Sequence, residues 1–385
     1  MGRKDHRLKK LERAGRVAID RVLGLGRGSR PSLGSVIPES VRDILVVRPH
    51  NQMGDMLLST PLFSALRRAF PGARITLIAS PDNYEMMIAH PDIDELRVFD
   101  KKRLRRRPGD LWRFWRFLRR TSWDTVIMPT TVSFSLTSSV IAWLARGRVR
   151  VGSDGSAYGR SMGATIFDIQ VPCEWDREHQ TQRNLDFARA VGAQPVTLAP
   201  SMGLRDEETA WARGQLQDLK REASRIIGIH PGAGKIPNRW PIERFGQVAS
   251  DLASDPGSHV CIMVGPREGD LLRIVRDQLG ERATYFAGMS VRQAAALIGE
   301  FDFFLCNDTG VMHIGAALST PTLALFGPTD PQMWAPQVPN LRWIRGADDR
   351  MDSIGVDEVL TGIQDMLSSH HRDGDLDHAR GGSRS

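Results

Sequence analysis

The chain has 385 residues, 41% of them hydrophobic, which is long enough for two domains with a core each. Its formal charge of +7 sits wholly in residues 1–30, where ten Lys or Arg meet three Asp or Glu, so the remainder is neutral and carries no nucleic-acid footprint. Three cysteines, Cys173, Cys261 and Cys306, lie far apart without metal-ligand spacing, which excludes a disulfide framework and suits a reducing cytoplasm.

Residues 1–40 read as a basic arm. Leu8, Leu11, Ala18, Val22 and Leu25 follow spacings of three, four and seven, which suit a helix lying on an anionic membrane surface. The Gly and Arg content of the arm suits disorder equally. The stretch VAIDRVLGLGRG is broken by Asp20 and Arg21, so it lacks the apolar centre of a signal peptide.

From residue 42 onward, β-branched runs alternate with amphipathic segments, the pattern of a parallel α/β architecture. DILVVRP, ARITLIAS, ELRVFD, DTVIMP and RVRVGS form a first series and predict a Rossmann-like domain over residues 41–200. After a polar stretch over 192–208, RIIGIHP, HVCIMVGP, ATYFAG, DFFLCND and PTLALFGP predict a second such domain over residues 201–369. The fold class is therefore α/β, with two doubly wound domains facing a cleft at the carboxyl ends of their strands. Residues 370–385 are polar and Gly-rich and are expected to be a disordered tail. The uncharged run Thr125–Ala145 is long enough to span a bilayer, but its eight Ser or Thr and Pro129 favour a buried strand, a loop and a buried helix.

Three motifs carry chemistry. In RPHNQMGDMLLSTPLFSAL, Gly54 suits a tight strand-to-helix turn and Asp55 stands at its mouth, although Asp55 could equally be a helix cap and Thr60-Pro61 a second one. In IGIHPGAGKIPNRWPIERF, Gly232 and Gly234 expose backbone N–H groups, Lys235 supplies a point charge and Arg239 a planar fork, a set that suits a diphosphate. His230 there reads either as a site residue or as a satisfied histidine at a strand end. In FFLCNDTGVMHIGAALSTPTLALFGPTDP, Asp308 and Thr309 offer capping chemistry, Gly310 leaves the backbone open and His313 lies one turn along. A helix starting there points its positive end at a pyrophosphate without needing a metal. Gly327 and Thr329 fall in the loop after the next strand.

Two further features are weighed. The triplet Asp92-Ile93-Asp94 sits in a polar loop where metal chelation is not expected, and no metal and no cofactor is expected elsewhere. Within residues 101–120, a helix beginning near Asp110 groups Leu111, Trp112, Phe114, Trp115 and Leu118 against Arg113, Arg116 and Arg120. The expected reading is an aromatic face in the core and a basic face in water; the alternative is a surface for anionic lipid or a phosphorylated glycolipid.

Taken in order and spacing, R-x-x-x-x-x-G-D with T-P-x-x-x-A-L, P-G-A-x-K with N-R-W-P, and D-T-G-x-x-H with F-G-P-T-D-P resemble glycosyltransferase family 9, the bacterial heptosyltransferase family. The resemblance runs from about Val41 to about Leu367 and implies the GT-B fold, with acceptor bound by the N-terminal domain and nucleotide-sugar by the C-terminal domain. It makes Asp55 the general base and puts Lys235 at the donor as a second catalytic residue that meets the departing charge, with Arg48, Gly54 and Thr60 on the acceptor side. His230, Gly232, Gly234, Arg239, Asp308, Thr309, Gly310, His313, Gly327 and Thr329 fall to the donor. Many members carry Lys where this chain has Asn238, so whether Lys235 or Arg239 meets the leaving phosphate stays open. The implied reaction is an inverting, metal-independent transfer, with ADP-heptose as the implied donor and a lipopolysaccharide-type anionic glycolipid as acceptor. It implies a cytoplasmic enzyme, peripheral on the inner face of the membrane. An epimerase or hydrolase of nucleotide-sugars, or a non-catalytic nucleotide-sugar-binding protein, fits the same fold.

Overall fold

The computed structural model describes residues 41–131, 135–155, 166–172 and 178–381. The basic arm and Cys173 lie outside the described residues. The chain divides into two compact units, Met1–Leu198 and Ala199–Ser385.

The first unit is built on a six-stranded sheet of β1 (Asp43–Arg48), β2 (Arg74–Ala79), β3 (Glu95–Val98), β4 (Thr125–Met128), β5 (Val149–Ser153) and β6 (Ile169–Val171). Its order is β3-β2-β1-β4-β5-β6 and every pairing is parallel. The second unit repeats this plan with β7 (Arg225–His230), β8 (Ser258–Met263), β9 (Ala283–Phe286), β10 (Phe303–Asn307), β11 (Thr322–Phe326) and β12 (Leu341–Arg345), ordered β12-β11-β10-β7-β8-β9 and again parallel. In each unit the strand order reverses beside the first strand, between β1 and β4 and between β7 and β10. Such switch points are where the loops leaving neighbouring strands diverge and leave room for a ligand.

The central strands are apolar on both faces because helices cover both faces of a parallel sheet. In the first unit Leu45, Val47, Val126 and Met128 join Trp123, Ile141 and Phe167 in one cluster. In the second, Ile227, Ile229, Leu305 and Leu325 meet Trp240, Phe245, Val248 and Ile363. Helix starts follow local chemistry. Ser80 caps the helix Pro81–Met87, which has proline in its first turn, and Ser290 with Gln293 forms a capping box on Val291–Glu300.

The edge strands β6 and β12 have no counterpart among the strands expected from sequence. β6 is three residues long, and β12 (LRWIR) is largely exposed and carries two arginines, so neither has the continuous apolar run that marks a strand buried on both faces. The final helix, Val356–Gly381, continues through much of the expected disordered tail. Val359, Ile363 and Met366 pack on the core and nucleate it, and adding residues to an existing helix is far easier than starting one. Thr125–Ala145 supplies β4 and the helix Leu136–Leu144, and among the described residues no helix is long and apolar enough to cross a membrane.

Gly228, in the middle of β7, shows how tightly the second unit is packed: a Cβ there would lie 2.1 Å from the ring of Phe301. Gly228→Ala is expected to lower the stability of this unit by about 2 kcal/mol in denaturant unfolding, the usual scale of overpacking. Adding Phe301→Leu should recover part of that loss; a Gly228→Ala variant as stable as wild type would show that the ring moves aside freely.

Candidate functional site

In the first unit the chain leaves β1 and enters the short helix Met53–Leu57, of which Gly54 is the second residue and Asp55 the third. Asp55 is half-buried and is not the cap, since Gln52 holds that position and makes no side-chain capping bond. A carboxylate in the first turn is favoured by the amide dipoles of the helix start. Gly54 adopts helical backbone and lacks the positive φ expected of a tight glycine turn.

The turn is held from below. Arg48, the last residue of β1, is buried and donates to the Pro129 carbonyl after β4, to Asn184 Oδ1 at 3.2 Å and to the Asp55 carbonyl at 3.0 Å. Asn184 donates in turn to the Leu58 carbonyl at 3.1 Å. The buried Thr60 hydroxyl donates to the Leu57 carbonyl at 2.7 Å. Arg48 and Thr60, expected on the acceptor side, thus donate to the Pro129, Asp55 and Leu57 carbonyls and to the Asn184 side chain. Asp92 and Asp94 are similarly engaged, accepting from Ser64 Oγ and from the Ile75 amide, each at 2.7 Å.

In the second unit the expected residues gather at the carboxyl ends of β7, β10 and β11. Asn307, the last residue of β10, is fully buried; its amide donates to the carbonyls of Pro231 (2.8 Å) and Gly232 (3.2 Å) and accepts from the Trp240 N–H at 3.1 Å. One side chain thus clamps both ends of the glycine loop. Asn238, where the resemblance has Lys, is also buried and donates to Asp308 Oδ2 at 2.7 Å and to Thr329 Oγ1 at 3.2 Å. It ties together the loops that follow β7, β10 and β11.

Burial raises the Asp308 carboxyl above its ordinary value, while hydrogen bonds from Thr329 and Asn238 and the charge of Lys235 act in the opposite direction. Lys235 and Gly234 are exposed, and no heavy atom lies within 4 Å of where a Gly234 Cβ would stand. Arg239 is half-buried and commits its Nε–H to the Ala233 carbonyl at 2.9 Å. Thr309 stands at the N-cap of Gly310–Ala317 in extended backbone and no side chain caps that helix, so the expected Asp308 cap is not formed: its carboxylate is held by Asn238 instead. His313 and Gly327 are buried, and Thr329 is half-buried.

His230 turns inward. Its Nδ1 donates to the Met263 carbonyl at 2.9 Å and its Nε2 lies 3.6 Å from Glu268 Oε2, with burial lowering its pKa. One ring nitrogen is thus hydrogen-bonded to backbone and the other faces a carboxylate. Glu268 was missed in the sequence reading. It accepts from the Gly265 N–H at 2.7 Å, and its Oε1 lies 2.1 Å from where a Gly232 Cβ would be, so only glycine fits at 232 without moving the carboxylate. Its one sequence signal is a carboxylate set between Gly265 and Gly269 just after a strand. Asn307 carried a similar signal, a polar residue closing an apolar strand directly before Asp308. Among the described residues, no group of three or more His, Cys, Asp or Glu could hold a metal ion.

The model of glycosyltransferase family 9 (heptosyltransferase) matches residues 111–358, well over half of the chain. Lipopolysaccharide heptosyltransferase 3 of Escherichia coli is 24% identical over 295 residues, covering 75% of this chain and 84% of that protein. A family 9 glycosyl transferase from Veillonella parvula shares the fold with a TM-score of 0.77 at 20% identity, over 88% of this chain and all of the other. The E. coli heptosyltransferase WaaC with ADP does so at 0.70 and 20%, over 84% of this chain and 99% of the other. The two parallel sheets are thus those of a GT-B enzyme, and the chain belongs to glycosyltransferase family 9, the heptosyltransferase family, as a glycosyltransferase.

Proposed function

We propose that this glycosyltransferase moves a heptose, with inversion, from ADP-heptose to a lipopolysaccharide-type glycolipid, the donor held by the C-terminal unit and the acceptor by the N-terminal unit. The observation that carries the reading is the second unit's set of loops, in which Asn238, Asp308 and Thr329 are bonded together beside the exposed Lys235 and the start of the helix Gly310–Ala317. A donor diphosphate suits that arrangement, since a cation and a helix N-terminus both favour negative charge. ADP bound to WaaC and the heptosyl transfer named for the E. coli relative support the choice of nucleotide and sugar.

In this reaction Asp55 takes the proton from the acceptor hydroxyl as that oxygen attacks the anomeric carbon. The bond to the diphosphate breaks on the opposite face, and the departing charge is met by Lys235, by Arg239 and by the amides opening the helix at Gly310. Arg48 and Thr60 act by holding the turn that presents Asp55. Gly232 lets the loop lie against Glu268, and His230 supports it from the core. A glycolipid acceptor places the enzyme on the inner face of the cytoplasmic membrane. Donor consumption without acceptor would signal an epimerase or hydrolase instead.

The base assignment is tested by Asp55→Asn, which keeps the size and local hydrogen bonding of the side chain but cannot take a proton. Single-turnover rates with ADP-heptose and a lipopolysaccharide-type acceptor are expected to fall by roughly 10²- to 10⁴-fold with melting temperature and donor affinity unchanged. A rate within a few-fold of wild type would remove Asp55 from the chemistry. Lys235→Ala should weaken nucleotide-sugar binding by about 2 kcal/mol in calorimetric titration, the scale of a charge-assisted contact, and unchanged affinity would exclude Lys235 from the diphosphate site.

Asp308 gives a test that separates stability from binding. Because its folded-state pKa is raised, the folded protein holds the proton more readily than the unfolded chain does. The carboxyl therefore favours folding at low pH and works against it as pH rises through the folded-state pKa. Asp308→Asn removes the charge of this half-buried side chain and keeps an acceptor for Asn238. Its melting temperature should match or exceed wild type at neutral pH, the difference closing as pH falls through that pKa, while donor affinity drops about tenfold. A variant that melts well below wild type at neutral pH would show that the carboxylate stabilises the fold.

A further inference from the structure

The segment Lys101–Arg120 carries ten Lys or Arg against the single Asp110, in a chain whose residues after the arm are neutral as a whole. It forms two consecutive helices, Lys101–Arg106 and Pro108–Arg120. Asp110 joins them, accepting from Arg103 Nε at 2.8 Å and Arg113 Nη1 at 2.9 Å, and these partners hold its carboxyl below the ordinary range.

The aromatic residues of the second helix divide between two faces, which differs from the single core-facing side expected from sequence. Phe114 and Phe117 pack against the core with the buried Leu118. Trp112 and Trp115 remain 55% and 42% exposed. At about 100° per residue, Trp115, Arg119, Trp112 and Arg116 follow one another around the helix, opposite the core-facing side. The Arg116 guanidinium lies 5.1 Å from the Trp112 ring and that of Arg119 5.7 Å from the Trp115 ring. On the helix Leu136–Leu144, which packs beside this one, Trp143 is 38% exposed.

We propose that this face docks on an anionic phospholipid bilayer, with the tryptophan rings at the headgroup level and the stacked arginines on lipid phosphates. Indole rings suit the membrane interface because an apolar body and a polar N–H meet the two media there, and the adjoining cations add attraction to anionic lipid. The basic arm does not suit this face, since residues 1–30 carry a charge of the same sign. The docking deepens the reading of a membrane-borne acceptor and rests on it for its purpose, but the binding is measured without turnover.

The full chain is mixed with phosphatidylcholine vesicles with and without phosphatidylglycerol, and binding is followed by sedimentation and by quenching of tryptophan fluorescence with brominated lipid. Wild type is expected to bind the anionic vesicles, and Trp112→Ala/Trp115→Ala to bind them about tenfold more weakly with an unchanged melting temperature. Arg116→Gln/Arg119→Gln should lose most of the preference for phosphatidylglycerol. Turnover on a soluble, delipidated acceptor should be the same in all three proteins, which keeps failure of docking distinct from failure of the transfer reading. Equal vesicle binding by wild type and the tryptophan variant would overturn the proposal. So would binding indifferent to phosphatidylglycerol, or retention on a polyanionic oligonucleotide with none on vesicles.

Discussion

Each unit depends on one buried polar side chain that crosses the gap where its strand order reverses. In the second unit Asn307 reaches from the end of β10 to the Pro231 and Gly232 carbonyls after β7. In the first, Arg48 reaches from the end of β1 to the Pro129 carbonyl after β4 and back to the Asp55 carbonyl. At a switch point the two outgoing chains diverge and their backbone groups lose the ladder that would have paired them. An orphaned buried carbonyl is costly, so a long or forked donor at that point both satisfies the backbone and fixes the course of the loop. The loops that carry Asp55 and Lys235 inherit their positions from these clamps.

A second consequence follows for the balance between stability and function in the C-terminal unit. Asn238 bonds a carboxylate and a hydroxyl through its neutral amide and brings no positive charge to them. Asp308 is half-buried, with amide and hydroxyl donors and the more exposed Lys235 charge nearby, and desolvation leaves its carboxyl raised. Such a group is poorly explained by folding alone, since a neutral side chain of the same shape would be easier to bury.

The sequence by itself determined the architecture. The alternation of apolar β-branched runs with amphipathic segments is enough to specify two parallel α/β units, because strands buried on both faces must be apolar throughout and their crossovers must be helical. The motifs at the ends of β1, β7, β10 and β11 were legible for the same reason: glycines and capping residues just after an apolar run mark where a strand meets a helix. β6 and β12 were not legible, since β6 is only three residues long and β12 interrupts its apolar residues with two arginines on an exposed face.

What only the tertiary structure decided is which of the polar residues in those motifs face outward and which face inward. Arg48, Thr60 and His230 share motifs with Asp55 and Lys235, yet their hydrogen bonds go to the Pro129, Leu57 and Met263 carbonyls. Asn307 and Glu268 carry weak local signals and become clamps because the sheet order sets β10 beside β7 and β8 on its other side. Trp112 and Trp115 have the same local pattern as Phe114 and Leu118, and only the packing of that helix on Trp123 and Phe99 leaves the tryptophans outside. Periodicity states which residues share a helix face; burial depends on what the rest of the chain brings to that face, and that information is non-local.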